Sequence, residues 1–148
     1  MMKKIMPPSY FFALLIFSIG AHFLLPVAKI VRPPLSYIGI LLIIFGATIN
    51  LWTDSLFKKA GISVKPADSP ASFETGGPFR ISRHPMYLGM VSVLLGVAAL
   101  FGSLVTFLFP VLFIIFMELA FIPMEEAHCE QEFGDRYREY KGRVRRWI

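Results

Sequence analysis

At 148 residues the chain has the length of one domain, but 55% hydrophobic residues against 17% charged is too apolar for an ordinary soluble domain. A single cysteine, Cys129, excludes an intramolecular disulfide, and the sequence offers no second Cys or spaced His pair for a zinc site. The class is that of an all-α integral membrane protein, read as one domain over residues 1–148.

Lys3 and Lys4 precede an apolar run, as in a secretory signal, but no small-residue cleavage site follows, so the run is expected to be an uncleaved first helix. That first span is expected over 10–27, Tyr10 to Val27, ended by Pro26. Lys29, Arg32, Pro33 and Pro34 make a short basic turn. Ser36 is then a candidate N-cap for a second span over 36–52, with Trp52 at the interface and Asp54 outside it. Residues 55–85, rich in Gly, Pro and Lys, are expected to form a long polar loop. Spans three (86–101) and four (104–122) are separated only by Gly102-Ser103 and predict an antiparallel helical hairpin. Gly89, Gly96, Ala98 and Ala99 would let a neighbouring backbone approach span three, and Pro110 and Pro123 are expected to bend or end span four. In the tail, 123–148, Phe133, Tyr137, Tyr140, Val144 and Trp147 recur at helical spacing among Arg136, Arg138, Lys141, Arg143, Arg145 and Arg146. This predicts an amphipathic interfacial helix, with breaks at Gly134 and Gly142.

With four spans, one side collects Lys3, Lys4, Lys58, Lys59, Lys65, Arg80, Arg83 and the basic tail, and the other only Lys29 and Arg32. The positive-inside rule then places both termini, the long loop and the tail in the cytoplasm, at the inner membrane of a prokaryote. The net charge of +5 is thus a topology signal, and nucleic acid is not needed to explain it.

Two polar islands could carry chemistry. Arg83-His84-Pro85-Met86-Tyr87 opens span three. On one reading Arg83 reaches headgroups, Pro85 starts a helix and Tyr87 joins the aromatic belt; on the other, a helix N-terminus bearing Arg and His holds a cofactor's anionic group. Gly89, one turn later, would let a flat ring lie against the backbone. Glu125-Glu126 either solvates a helix start or binds an ammonium, a sulfonium or ribose hydroxyls. Glu118 lies inside span four, where a carboxylate calls for a partner; His22 and Asn50 are the intramembrane candidates, and Glu125, seven residues on, would share its face unless Pro123 rotates it away. His128 and Cys129 lack a matching ligand cluster, so no metal is expected.

The ordered set Gly77-Pro78-Phe79-Arg80, Arg83-His84-Pro85-x-Tyr87-x-Gly89, Glu125-Glu126 and Phe133-Gly134-x-x-Tyr137-x-x-Tyr140-x-x-x-Val144-x-Arg146-Trp147 resembles the isoprenylcysteine carboxyl methyltransferases and their phospholipid methyltransferase relatives, over about half the chain. The resemblance implies an S-adenosylmethionine-dependent membrane methyltransferase with the cofactor between the hairpin and the tail. A lipophilic or small acceptor would enter from the bilayer. It also implies cofactor contacts from Phe79, Arg83, His84, Pro85, Met86, Tyr87, Gly89, Glu125 and Glu126, with Ser72-Phe73-Glu74 in the same wall. Relatives acting on prenylcysteine carboxylates place an Arg a turn before the Glu pair; here Phe121 stands there. In-line transfer from a sulfonium needs positioning and a dry site more than a strong base. His84 or Glu118 would take the proton if the acceptor is an amine or thiol. Two other readings remain open: an NADPH-dependent reductase of the related superfamily, and a non-catalytic membrane subunit.

Overall fold

A computed structural model describes residues 6–25, 28–61 and 73–148. Lys3, Lys4, Pro26, Val27 and loop residues 62–72, with Lys65 and Ser72 among them, lie outside the described residues. Most of the described residues are helical. Helix α1 runs Pro7–Leu24, α2 Ile38–Ala60 and α3 Pro85–Phe101. Then α4, Leu108–Phe116, passes through a π-helical turn, Met117–Phe121, into α5, Ile122–Phe133, and α6 is Asp135–Arg143.

The ends follow local chemistry. Pro7 and Pro8 occupy the first turn of α1, where no N–H is needed, so the helix begins ahead of Tyr10. It stops at Leu24 because Leu25, next to Pro26, is forced into an extended conformation (φ −118°, ψ 91°). Ser36 does not cap α2. It is buried within a 3-10 turn, Leu35–Tyr37, with no capping bond from its side chain. At its other end α2 continues past Trp52 to Ala60, aided by the Asp54 to Lys58 pair at 2.6 Å, and closes on Gly61 in the left-handed region. The expected loop is therefore shorter than 55–85, and its last part is ordered as a 3-10 turn, Gly77–Arg80.

Three of the described helical stretches, Pro7–Leu24, Leu35–Ala60 and Leu104–Phe133, are long and apolar enough to cross a membrane. Helix α3, with 17 residues, is shorter, about 25 Å. Gly102 (φ 64°) turns α3 back toward α4, and backbone bonds from Ile30 to Gly102 O (2.8 Å) and Leu104 to Ala28 O (3.1 Å) tie the turn to the α1–α2 connection.

The closest helix pair is α2 with α3. Gly39 lies against the Gly96 carbonyl and Gly46 against that of Gly89, so a β-carbon at Gly39, Gly46 or Gly96 would strike the facing backbone. Gly89 and Gly96 of α3 thus serve its contact with α2. The core that carries the site lies on the other side of α3, where Tyr87, Met90 and Leu94 meet Phe11 of α1 and Phe113, Met117, Phe121 and Ile122.

Pro123 does not end the helical stretch that begins with α4. A proline at this position would clash with the carbonyl four residues back, and the wider π-turn just before it removes that clash while the chain stays helical to Phe133. Gly134 (φ 50°, ψ −123°) breaks the helix as expected, whereas Gly142 does not: it lies inside α6. Tyr137 and Tyr140 face inward from α6, Arg136, Arg138 and Arg143 face outward, and Trp147 lies beyond the helix end.

Gly46→Ala and Gly96→Ala should each lower stability in detergent by about 1–3 kcal/mol by overpacking. Gly20→Ala, whose β-carbon would meet nothing within 4 Å, should be neutral or stabilising. Thermal unfolding of the three variants compares them directly, and equal effects would contradict the close α2–α3 contact.

Candidate functional site

The site grows from the last turn before α3. Phe79 and Pro78 are buried in the 3-10 turn, Ser82 is fully buried, and its hydroxyl accepts from His84 N (3.1 Å) and donates to Arg146 O (3.0 Å). Arg83 N donates to Arg145 O (3.0 Å), so residues 82–83 and 145–146 run side by side. Tyr140 OH donates to Phe79 O (2.8 Å), and Arg83 Nη1 donates to the carbonyls of Lys141 (3.0 Å) and Val144 (2.9 Å). These bonds lash the tail to the start of α3.

Glu126, only 3% exposed, is the hub. Its Oε1 accepts from Arg83 Nε (3.1 Å) and Nη2 (2.8 Å) and from Arg146 Nε (3.2 Å), and lies 3.4 Å from His84 Nε2. Its Oε2 accepts from Arg146 Nη2 (2.7 Å), with Lys141 Nζ at 3.8 Å. A carboxylate so buried is tolerable only with such pairing. Burial alone would raise its pKa, but His84, Arg146 and Arg83 outweigh it and hold the carboxyl below the ordinary range.

Glu125 differs. Its side chain is 23% exposed; it accepts from Tyr87 OH (2.5 Å), and its other oxygen is 3.4 Å from His84 Nδ1. The His84 ring lies parallel to Tyr87 (6° between planes, centroids 5.6 Å apart) and between the two carboxylates. Burial works against the imidazolium, yet bonds to Glu125 and Glu126 outweigh it, and the His84 pKa is raised from 6.5. Burial and the same two glutamates push the Cys129 thiol up to about 11, so it stays protonated at neutral pH.

Glu118 joins the cluster by an unforeseen route. Its Oε2 accepts from Arg146 Nη1 (2.7 Å) and its Oε1 from Trp147 Nε1 (2.5 Å). Neither proposed intramembrane partner meets it: His22 stacks on Phe101 (4.3 Å, 10°), and the buried Oδ1 of Asn50 lies against Gly89 with no hydrogen-bond partner among the described residues. Because the π-turn separates Glu118 from α5, it shares Arg146 with Glu126, while Glu125 faces Tyr87.

Of the remaining sequence-derived residues, Pro85 is buried and Met86 half-buried in the first turn of α3. Gly89 is covered by Ile49 and Asn50 of α2. Phe79 packs on Phe57 (5.4 Å) within an aromatic cluster with Tyr137 and Tyr140, and Phe73 packs on Phe133, Tyr137 and Tyr140. His128 is exposed, apart from the cluster. In the sequence Lys141 stands only as part of a basic tail, and Arg146-Trp147 as the end of the tail motif, with no partner assigned to any of the three. The signal that could have singled out a partner is charge balance, since two adjacent carboxylates entering a buried site require cations from elsewhere in the chain.

Glu126→Gln should destabilise the protein by about 3–5 kcal/mol, since it leaves the buried Arg83 guanidinium without its carboxylate; unfolding at neutral pH measures it, and a change below about 1 kcal/mol would contradict the hub. For His84, a folded-state pKa above 6.5 means stabilisation that is fully present below pH 6.5 and lost as pH rises through the raised value. The stability gap between the native chain and His84→Gln should therefore be widest in mild acid and narrow toward alkaline pH, and a gap that widens would contradict the bracketed imidazolium.

The model of the family described as "Phospholipid methyltransferase" matches residues 35–136. An uncharacterized protein of Haemophilus influenzae is 38% identical over 63 residues, covering 43% of this chain and 100% of that relative. No solved structure matches. The matched region runs from the turn before α2 through Arg83, His84, Tyr87, Glu125 and Glu126 into α6, and on that ground the chain belongs to the phospholipid methyltransferase family of membrane methyltransferases.

Proposed function

We propose that the protein transfers a methyl group from S-adenosylmethionine to a lipophilic or small membrane-accessible acceptor. The observation that carries this is the division of labour between adjacent glutamates. Glu126 is saturated by protein cations, whereas Glu125 is partly open and held in place by Tyr87 and His84. A fixed, half-open carboxylate beside a parallel His–Tyr pair suits a ligand with cationic and hydroxyl groups, and a sulfonium nucleoside has both.

When bound, that cofactor supplies an electrophilic methyl on a positively charged sulfur. Glu125 would bind its cationic or hydroxyl groups. His84 and Tyr87 orient Glu125, and Arg83 with Glu126 holds the turn that carries His84. Pro85 and Met86 form the adjoining first turn. Each ring nitrogen of His84 lies 3.4 Å from a different carboxylate, Nδ1 from Glu125 and Nε2 from Glu126, which favours a part in orientation for it. Both oxygens of Glu118 are engaged by Arg146 and Trp147, which likewise argues against a base there. Phe121, packed among Tyr10 and Phe116, offers an apolar face where a prenylcysteine carboxylate would need an Arg; the acceptor is better described by its apolar part.

The membrane reading is that α3 is a fourth span beside the three long helical stretches, with α6 at the surface. Arg83, the Glu pair and the basic tail then lie on the cytoplasmic side of a prokaryotic inner membrane. In calorimetry on the detergent-solubilised protein, S-adenosylhomocysteine should bind with Kd in about the micromolar range, and Glu125→Ala should weaken it by about 10-fold or more. Binding of NADPH without S-adenosylhomocysteine would overturn this in favour of a reductase, and binding of neither would favour a non-catalytic subunit.

A further inference from the structure

Arg146 hydrogen-bonds two carboxylates that lie eight residues apart on the fourth helical stretch, Glu118 and Glu126. Nη1 goes to Glu118 Oε2 and Nη2 to Glu126 Oε2, both at 2.7 Å, with Nε to Glu126 Oε1 at 3.2 Å. Its backbone carbonyl is simultaneously held by Ser82 Oγ at 3.0 Å. Charge neutralisation alone would not need this, because Arg83 already makes two bonds to Glu126 Oε1. What Arg146 adds is direction. By taking Oε2 it fixes the carboxylate plane, which leaves Oε1 facing His84 Nε2, and the opposite ring nitrogen of His84 faces Glu125. A lysine could not do this, since its ammonium lacks the planar fork that spans two carboxylates.

We propose that Arg146 is a positioning residue of the donor site: held by Glu118, it orients Glu126, and through His84 it sets the half-open carboxylate of Glu125. The proposal rests on the donor-site reading above and assigns Glu118 a task outside proton transfer, that of seating Arg146. The π-turn is what makes the seat, because it lets Glu118 meet the same guanidinium as Glu126. The Arg146 side chain is 33% exposed, so a small guanidinium from solution can reach its place.

That opening supplies the test. In full-length protein in detergent, Arg146→Met should weaken S-adenosylhomocysteine binding by about 10-fold or more, and Arg146→Lys should fall between it and the native chain. Millimolar methylguanidinium should restore part of the Arg146→Met loss and do nothing for the native chain. In a Glu126→Gln background the Arg146→Met change should add little, because there is no carboxylate left to orient. Native-like binding by Arg146→Met, or a loss of the same size in both backgrounds without rescue, would overturn the proposal. If the native chain binds no S-adenosylhomocysteine, the donor-site reading fails, and the positioning claim is then decided by the imidazole nitrogen resonances of His84. They should shift in Arg146→Met and return with methylguanidinium; unchanged resonances would refute it.

Discussion

A carboxylate with almost no exposure must be surrounded by donors, and Glu126 recruits them from two places: Arg83 and His84 ahead of α3, and Arg146 and Lys141 from the tail. Breaking such a group costs more than any exposed pair. The consequence is architectural. The chain after Gly134 cannot wander, since Arg83 and Ser82 also hold the backbone of residues 141–146, and the entrance to α3 cannot open without stranding a buried charge.

Two backbone departures make that arrangement possible. The glycine seam between α2 and α3 brings two helices into backbone contact, which frees the opposite face of α3, with Tyr87, Met90 and Leu94, to pack on α1 and the fourth helical stretch. The π-turn then absorbs Pro123 and re-aims Glu118. Glu118 and Glu126 thereby converge on Arg146, while Glu125 is left toward Tyr87. Fold and site are the same problem here, because the residues that close the helix bundle also orient the carboxylate with open space beside it.

The apolar runs and the helix-starting Pro85 were legible in sequence, since hydrophobic length and proline position act locally. The Arg83, His84 and Glu125-Glu126 islands stand out in the sequence because polar residues at span ends are few, and the structure brings them into contact. Other features were not. Helix α2 outruns its apolar stretch because a surface ion pair and a glycine cap extend it where hydropathy has ended. Pro123 reads as a bend or a stop, and the π-turn before it is what lets the helix continue. The partner of Glu118 was sought inside the membrane at His22 and Asn50, yet it comes from Arg146, 28 residues along the chain, and no local pattern announces a pairing made by tertiary packing. Gly89, which reads as a place for a ring, is taken by α2.

The proposed methyl transfer, with Glu125 as the partly open carboxylate, would put donor binding between the start of α3 and the start of α5. Hydrogen exchange of the detergent-solubilised protein, with and without S-adenosylhomocysteine, tests that most directly. The ligand should slow exchange in peptides covering residues 79–88 and 122–130 and leave α1 unchanged. Protection confined to other helices, or none at saturating ligand, would contradict a donor site built on Glu125.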